Sequence, residues 1–266
     1  TMRWADHDFR FVRPIRWLVA LFGDDVIPVE ITGVKSGKFS RGHRFLRPAL
    51  VEGAKAVESL DDAKELLEKA VSAVKNTVSS AVNKTPGAVE IPCAEAYEEV
   101  LKDNRVMVDQ DARRELIRQQ VIDLAIEEGG HAEIDEDLLE EVNYLVEWPT
   151  ALCGSFEERF LPLPKECIIT PMREHQRYFP VLKEDGSLLN KFITVRNGGK
   201  EHLDVVAHGN ERVLRARLSD AEFFFNEDRK HPLEARLAKL TTVSVQEGLG
   251  NMNDKSQRLV KAADMI

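Results

Sequence analysis

Three arginine-rich segments carry the side chains of this chain that are best suited to binding chemistry. A guanidinium group binds phosphate oxygens through paired hydrogen bonds, and an aromatic ring stacks on an unpaired base. Segments that combine both types therefore suit a nucleotide strand, with rings holding bases and cations holding phosphates. The candidate RNA-binding residues are Arg41, His43, Arg44, Arg173, His175, Arg177, Arg196, Arg212 and Arg215.

Each segment also has a purely structural interpretation. The first arginines could pair with the acidic middle of the chain. Tyr178 and Phe179, which follow the second segment, could belong to a buried strand with the cations on its solvated flank. Arg212 and Arg215 could pair within one helix with carboxylates such as Glu211. Spacing alone leaves ligand binding and structure open for all three segments.

The charge of the chain is unevenly distributed. The total is −9, but residues 1–47 sum to +4, residues 48–172 to −15 and residues 173–266 to +2. If the two non-acidic ends fold together, they present a local positive surface on an acidic body. Such a surface is typical of a protein that touches a polyanion locally.

The composition, with 43% hydrophobic and 31% charged residues, is that of a globular protein. Three cysteines without a Cys-x-x-Cys pair suit a reducing cytoplasm and indicate neither a zinc site nor a disulfide framework. No apolar run approaches the roughly 20 residues that cross a bilayer. No phosphate-binding glycine loop or metalloprotease motif occurs, so we expect no metal, no cofactor and no ATP site. Both ends resemble cuts within a longer protein.

The elements that must position these segments follow from periodicity. Aliphatic runs at 15–22 and 26–34 predict a β-hairpin, and residues 35–38 predict a second turn. Helices are predicted at 59–82, 97–102, 109–128 and from 136 onward. Extended segments are predicted at 105–108, 144–152, 166–170, 178–182 and 192–196, with Pro149 placing one of them at a sheet edge.

Beyond Gly199 the pattern becomes helical. Leu214, Leu218, Ala221 and Phe225 share one helical face, and Pro232 opens a further helix. The predicted fold class is α+β: a mixed sheet with packed helices over residues 1–200, followed by a helical segment over residues 201–266.

Longer blocks of sequence identify a relationship. They read Phe11-Val-Arg-Pro-Ile-Arg-Trp17, Arg41-Gly-His-Arg-Phe45, His175-Gln-Arg-Tyr-Phe179, Phe192-Ile-Thr-Val-Arg-Asn197 and Gly209-Asn-Glu-Arg-Val-Leu-Arg-Ala-Arg217. In type and order they resemble the beta subunit of bacterial-type glycyl-tRNA synthetase, over nearly the whole chain. Residues 51–92 depart from that pattern, and we interpret them as an insertion.

The resemblance implies an enzyme of alpha and beta subunits that ligates glycine to tRNA(Gly) with ATP. It implies an aminoacylation site on the alpha subunit, so ATP is a substrate of the assembled enzyme and this chain alone is inactive. It also implies that residues 1–200 form an editing-type domain similar to that of the phenylalanyl-tRNA synthetase beta subunit. Residues 201–266 would then lead into an HD-type helical domain.

Three functions are compatible with this resemblance. In the first, the chain contributes tRNA contact and structural support to a cytoplasmic enzyme whose partners are the alpha subunit and tRNA(Gly), with neither membrane nor DNA involved. In the second it is an editing-type hydrolase, although the sequence defines no nucleophile or base. In the third it is a pure subunit-interface module, whose arginines pair with acidic partners instead of phosphates.

Overall fold

The computed structural model describes residues 2–3, 9–11, 15–46 and 88–265. The predicted helix at 59–82 lies outside these residues, as does most of the predicted insertion at 51–92. The end of that insertion, Ala88–Glu90, forms a strand that pairs with Phe39–Arg41.

The N-terminal part is built from short strands. They are β1 (Met2–Arg3), β2 (Arg10–Phe11), β3 (Leu18–Val19), β4 (Leu21–Phe22), β5 (Asp25–Val26), β6 (Glu30–Ile31), β7 (Val34–Gly37), β8 (Phe39–Arg41) and β9 (Ala88–Glu90). The predicted hairpin is confirmed at its turn, where β4 and β5 pair antiparallel around Gly23. Gly23 has φ +58°, a backbone conformation that glycine adopts at little cost.

The predicted turn at 35–38 is wrong, because these residues belong largely to strand β7. The chain reverses earlier, at Thr32 and Gly33, whose φ angles are +49° and +80°. Two consecutive left-handed residues make the tight turn that joins β6 to β7. The hydroxyl of Ser36 then donates to the Ile27 carbonyl at 2.6 Å, which holds the strand in place.

The main sheet has four strands in the order β10-β12-β13-β11, and every pairing in it is antiparallel. Its strands are β10 (His131–Ala132), β11 (Pro149–Ser155), β12 (Phe179–Leu182) and β13 (Leu188–Asn197). The predicted edge position is confirmed: β11 pairs with β13 alone and begins at Pro149, where a missing N–H is tolerated. The expectation of a strand from Tyr144 is wrong for its first residues, since a helix continues to Leu145.

The α-helices of the described residues are α1 (Tyr97–Asp103), α2 (Gln110–Glu127), α3 (Glu136–Leu145), α4 (Lys165–Thr170), α5 (Leu203–Arg229) and α6 (Met252–Ala263). A π-helix (Pro171–Gln176) continues α4, and a 3-10 helix spans Leu233–Thr242. The predicted helix at 109–128 is confirmed as α2. The Asp109 carboxylate caps its start by accepting from the Asp111 and Ala112 N–H groups, and Gly129 at φ +77° follows its end.

Two predicted extended segments are wrong. Residues 166–170 form α4, because Ile168 and Met172 on one helical face pack into a core with Leu214 and Leu218 of α5. That burial outweighs the strand preference of the local Ile-Ile-Thr sequence. Residues 105–108 form a loop rather than a strand, since Arg105 takes a left-handed conformation with φ +61°.

Both faces of the main sheet are covered by helices. Phe179 and Ile193 point to the core shared with α2 and α3, whereas their neighbours Tyr178 and Phe192 point to the core shared with α4 and α5. This alternation follows from the two-residue period of a strand, and it explains why all of β12 is buried. The fold is therefore α+β, as predicted.

Candidate nucleic-acid interface

His43 is buried, with 1% of its surface exposed, and it anchors the first arginine segment to the main sheet. Its Nδ1 accepts hydrogen bonds from the Phe45 and Leu46 backbone N–H groups, both at 3.2 Å. The ring proton therefore sits on Nε2, which donates to Asn197 Oδ1 at 3.0 Å. Both ring nitrogens are used within the protein, so His43 is an anchor of the loop, and its role as an RNA-binding side chain stays a prediction.

Asn197 joins three segments at this end of the sheet. Besides the His43 ring, its Oδ1 accepts from the backbone N–H of Glu147 at 3.0 Å and of Trp148 at 3.1 Å. A further backbone bond runs from the His43 N–H to the Asn104 carbonyl at 2.8 Å. The segment 41–46, the α1–α2 loop and the start of β11 are thereby held together.

The anchored loop presents a cation and an aromatic ring outward. Phe45 is 69% exposed, and the Arg44 guanidinium lies 5.4 Å from the centroid of its ring. Arg44 is itself exposed, whereas Arg41 is half-buried with its guanidinium 5.1 Å from the Trp17 ring centroid. Arg44 and Phe45 are therefore the members of this segment that are open to a ligand.

A second cation–aromatic pair lies nearby. The exposed Arg105 guanidinium is 5.1 Å from the centroid of the half-buried Trp148 ring. Sequence reasoning missed both residues as binding candidates, because they lie 43 positions apart and Arg105 was assigned to a strand. The one signal in the sequence is the segment Leu145-Val-Glu-Trp-Pro149, which contains Trp148 and resembles the same family.

Arg105 occupies a backbone position where glycine is usually found. The Arg105 N–H donates to the Lys102 carbonyl at 3.0 Å, and the Val106 N–H donates to the Leu101 carbonyl at 2.9 Å. These two bonds are the Schellman pattern that ends a helix, and its left-handed residue is most often glycine. A side chain in this conformation costs about 1 kcal/mol or more. The loop accepts that cost and thereby places a guanidinium on Trp148.

Both residues line a cleft of about 480 Å³ at the Asn197 end of the sheet. Its wall also includes Leu46 from the anchored loop and the ionisable side chains Lys200 and Glu201. The cleft is therefore lined by two cations, Arg105 and Lys200, and by one carboxylate, that of Glu201. The arrangement offers a flat cationic and aromatic surface with an acceptor beside it, which suits a planar ring with polar edges.

The second arginine segment is held by α3. Arg173 forms an ion pair with Asp135, and Arg177 pairs with Glu141 at 2.6 Å. His175 between them is exposed. Both arginines therefore have carboxylate partners, whereas the structural interpretation of this segment had left its cations on a solvated flank. No hydrogen bond or ion pair between described residues joins this segment to the loop at 43–46.

The remaining predicted residues lie at two ends of the sheet. Arg196 sits near Asn197 and donates to the Glu201 carbonyl at 2.6 Å. Arg215 pairs with Glu157, beyond the other end of β11, and Arg212 is exposed on the same helix without an ion pair to any described residue. The pairings Pro149–Asn197 and Ser155–Lys191 mark the two ends, which are about 20 Å apart at the rise of a strand. The structure thus brings only part of the predicted set together.

The one thiol with a shifted pKa among the described residues is that of Cys153. Burial and, to a smaller extent, the nearby Glu128 carboxylate raise this pKa to about 12. At pH 8 its thiolate should be about a thousand times rarer than that of an ordinary thiol. We therefore expect alkylation of Cys153 by iodoacetamide to be far slower in the native chain than in urea, as measured by mass spectrometry. Comparable rates would contradict this burial.

Over the described ranges, no helix combines the length and apolar character needed to cross a membrane. The same residues contain no group of three or more His, Cys, Asp or Glu side chains that could hold a metal ion.

Comparison with known proteins gives the family. A family model described as glycyl-tRNA synthetase beta subunit matches residues 1–77 and 63–266. The glycine–tRNA ligase beta subunit of Moorella thermoacetica is 47% identical over 98% of this chain and 32% of its own length. Those of Desulforamulus reducens and Bacillus subtilis are 44% and 43% identical, each over 100% of this chain and 33% of their own length.

The chain spans about a third of the length of these curated relatives. Identity at this level over the whole chain, together with a family model that covers it from end to end, leaves one assignment. This chain belongs to the glycyl-tRNA synthetase beta-subunit family.

Proposed function

We propose that this chain is the part of a two-subunit glycyl-tRNA synthetase beta subunit that contacts tRNA(Gly) and supports the assembled enzyme. Glycine is joined to the tRNA with ATP, and the aminoacylation site lies on the alpha subunit. ATP is thus a substrate of the assembled enzyme and not a ligand of this chain. The proposal is supported by membership of the glycyl-tRNA synthetase beta-subunit family and by the names of the curated relatives, which are glycine–tRNA ligase beta subunits.

The observation that carries the tRNA contact is the loop at 43–46. A buried histidine fixes this loop to Asn197, so Arg44 and Phe45 are presented in a defined geometry without an ion pair to any described residue. Preorganised cation–aromatic pairs lose little conformational entropy when a nucleotide strand binds. The second segment supports the proposal less, since Arg173 and Arg177 already have carboxylate partners.

The test is charge reversal in the complete two-subunit enzyme. Arg44→Glu should weaken binding of a tRNA(Gly) transcript about tenfold and reduce the salt slope by about 1, the change that loss of one phosphate contact gives. Binding is measured by filter retention from low to physiological salt.

Lys183→Glu is the matched control. Lys183 is exposed in the β12–β13 turn, at the opposite end of the sheet. It carries the same change in charge, so it corrects for the general effect of added negative charge. Equal losses in both variants, or no loss in either, would remove the loop at 43–46 from the RNA surface.

The editing-type hydrolase remains an alternative without a supporting observation. Its test is deacylation of alanyl-tRNA that carries the glycine anticodon. Turnover that a mutation in the cleft abolishes would favour it. The similarity to the editing-type domain of the phenylalanyl-tRNA synthetase beta subunit, and the continuation into an HD-type domain, stay part of this proposal.

A further inference from the structure

We propose that the cleft lined by Arg105, Trp148 and Lys200 is a subsite for one unpaired nucleotide of the bound RNA, whose base stacks on the Arg105 guanidinium. This inference rests on the proposed function and adds to it the class of nucleotide and the residues that hold it.

The stack begins with a pair that already exists. The Arg105 guanidinium lies over the Trp148 ring at 5.1 Å and is exposed, so its second face is open to a planar ligand. Arginine planes and aromatic rings are the side-chain surfaces on which splayed-out RNA bases stack. Three layers would result, with the base outermost and Trp148 innermost.

The backbone conformation at Arg105 disfavours the side chain that occupies it. Its φ of +61° and its two terminal hydrogen bonds define a helix end that glycine would form with less strain. Strained positions of this kind cluster at functional sites. Because of this strain, Arg105→Gly should relieve the backbone while it removes the proposed contact. The effect of the contact on binding can then be measured separately from any effect on folding.

The charges around the cleft favour a base together with its phosphate over a lone phosphate. Lys200 lines the same cleft and supplies a second cation, which can pair with the sugar–phosphate chain. The Glu201 carboxylate lies against Gly199, so close that a Cβ on that glycine would be 2.2 Å from its Oε2. A carboxylate would repel a phosphate placed there, but it can accept from the amino groups of a base.

The size of the cleft and its position fit the same ligand. A volume of about 480 Å³ lies within the roughly 300–1,000 Å³ of small-ligand clefts. Leu46 of the cleft wall follows Arg44 and Phe45 directly, so a strand held by the loop can continue into the cleft. The two cation–aromatic pairs are then successive contacts on one strand.

The test uses the complete enzyme and a tRNA(Gly) transcript. Arg105→Gly should weaken tRNA binding about tenfold, as expected for one lost base stack, while the unfolding temperature does not fall. Arg105→Lys should show the same loss, because it keeps the charge but not the plane. Lys102→Gln, an exposed neighbour on α1, is the control that should bind as the wild type does.

A competition experiment keeps the inference testable if Arg105→Gly affects folding. An unstructured RNA oligonucleotide, titrated against a trace of labelled tRNA far below its Kd, should have a Kd about tenfold lower on the wild type than on Arg105→Lys. A blunt RNA duplex should compete equally with both, since its bases are not accessible to the cleft. Equal competition by the oligonucleotide would overturn the subsite.

Other outcomes separate the two proposals. Full affinity in Arg105→Lys and Arg105→Gly, with weakened binding in Arg44→Glu, overturns the subsite and leaves the proposed function intact. Full affinity in all three variants overturns the proposed function itself. Loss of assembly with the alpha subunit in Arg105→Gly, with tRNA binding unchanged, would make the cleft a protein contact and also overturn the subsite.

Discussion

Replacement of Arg113 by methionine is expected to lower the free energy of unfolding of this chain by about 3 kcal/mol. Arg113 is a charged residue of α2 with 8% of its surface exposed. Its Nε donates to the backbone carbonyl and the side-chain Oδ1 of Asn143 at 3.1 and 3.0 Å, and its Nη1 donates to the Met107 carbonyl at 2.5 Å. Methionine fills similar space but donates nothing, so three acceptors lose their partner.

The loss should exceed that of an ordinary surface arginine because the acceptors lie in a buried region, where water replaces the lost donor poorly. Hydrogen bonds from a charged donor contribute about 1.5–3 kcal/mol each, and partial rehydration of the carbonyls offsets part of the sum. Urea denaturation of wild type and variant, with equal m-values, measures the difference. Arg118→Met, in which an exposed pair with Glu136 is lost, is the matched control and should cost less than 1 kcal/mol.

Arg113→Lys should recover little of the stability, since an ammonium group cannot reproduce a planar fork that reaches α3 and the α1–α2 loop together. The same loop carries Arg105, so loosening it should also weaken tRNA binding in the assembled enzyme. A loss below 1 kcal/mol in Arg113→Met would show that these bonds are replaced by water at no net cost.

Replacement of His43 by alanine is the second large expected effect, a loss of about 2–3 kcal/mol. The imidazole is the link between the loop at 43–46 and Asn197, and its removal leaves a cavity and two backbone N–H groups without their acceptor. Denaturation in urea measures the stability, and filter retention of tRNA measures the consequence for Arg44 and Phe45. We expect weaker tRNA binding, because the loop that presents Arg44 and Phe45 loses its anchor.

His43→Asn separates the two roles of the ring. An asparagine Oδ1 can accept from the N–H groups two and three residues ahead, as the Asp109 carboxylate does at the start of α2, but it is too short to reach Asn197. The local turn should survive while the long-range bond is lost, so the stability should fall between those of wild type and His43→Ala. Equal stability of His43→Asn and His43→Ala would mean that the bond to Asn197 carries the whole effect.

The elements that the sequence predicted correctly are those with local causes. Helix α2 has a capping aspartate at its start, an apolar stripe and a glycine at its end, all within one stretch of chain. Leu214 and Leu218 are fully buried, as their helical spacing on α5 predicts. The family resemblance is likewise a property of linear blocks, and the comparisons confirm it.

The candidate site was predicted less completely, because its geometry depends on contacts between distant residues. His43 looked like a ligand by type and spacing, but a bond to a residue 154 positions away turns it into a buried anchor. Arg173 and Arg177 looked available until α3 placed Asp135 and Glu141 against them. Arg105 and Trp148 were overlooked because neither has a binding partner in its own segment.

The linear sequence, then, determined where helix α2 begins and ends, which face of α5 is apolar and which family the chain belongs to. Those properties arise from backbone hydrogen bonds and side-chain periods that reach only a few residues. The tertiary structure decided which cations are paired, which are exposed and which ring lies under which guanidinium. The physical reason is that a charge is paired or unpaired according to the groups within a few ångströms of it. The fold brings those groups together from distant parts of the sequence.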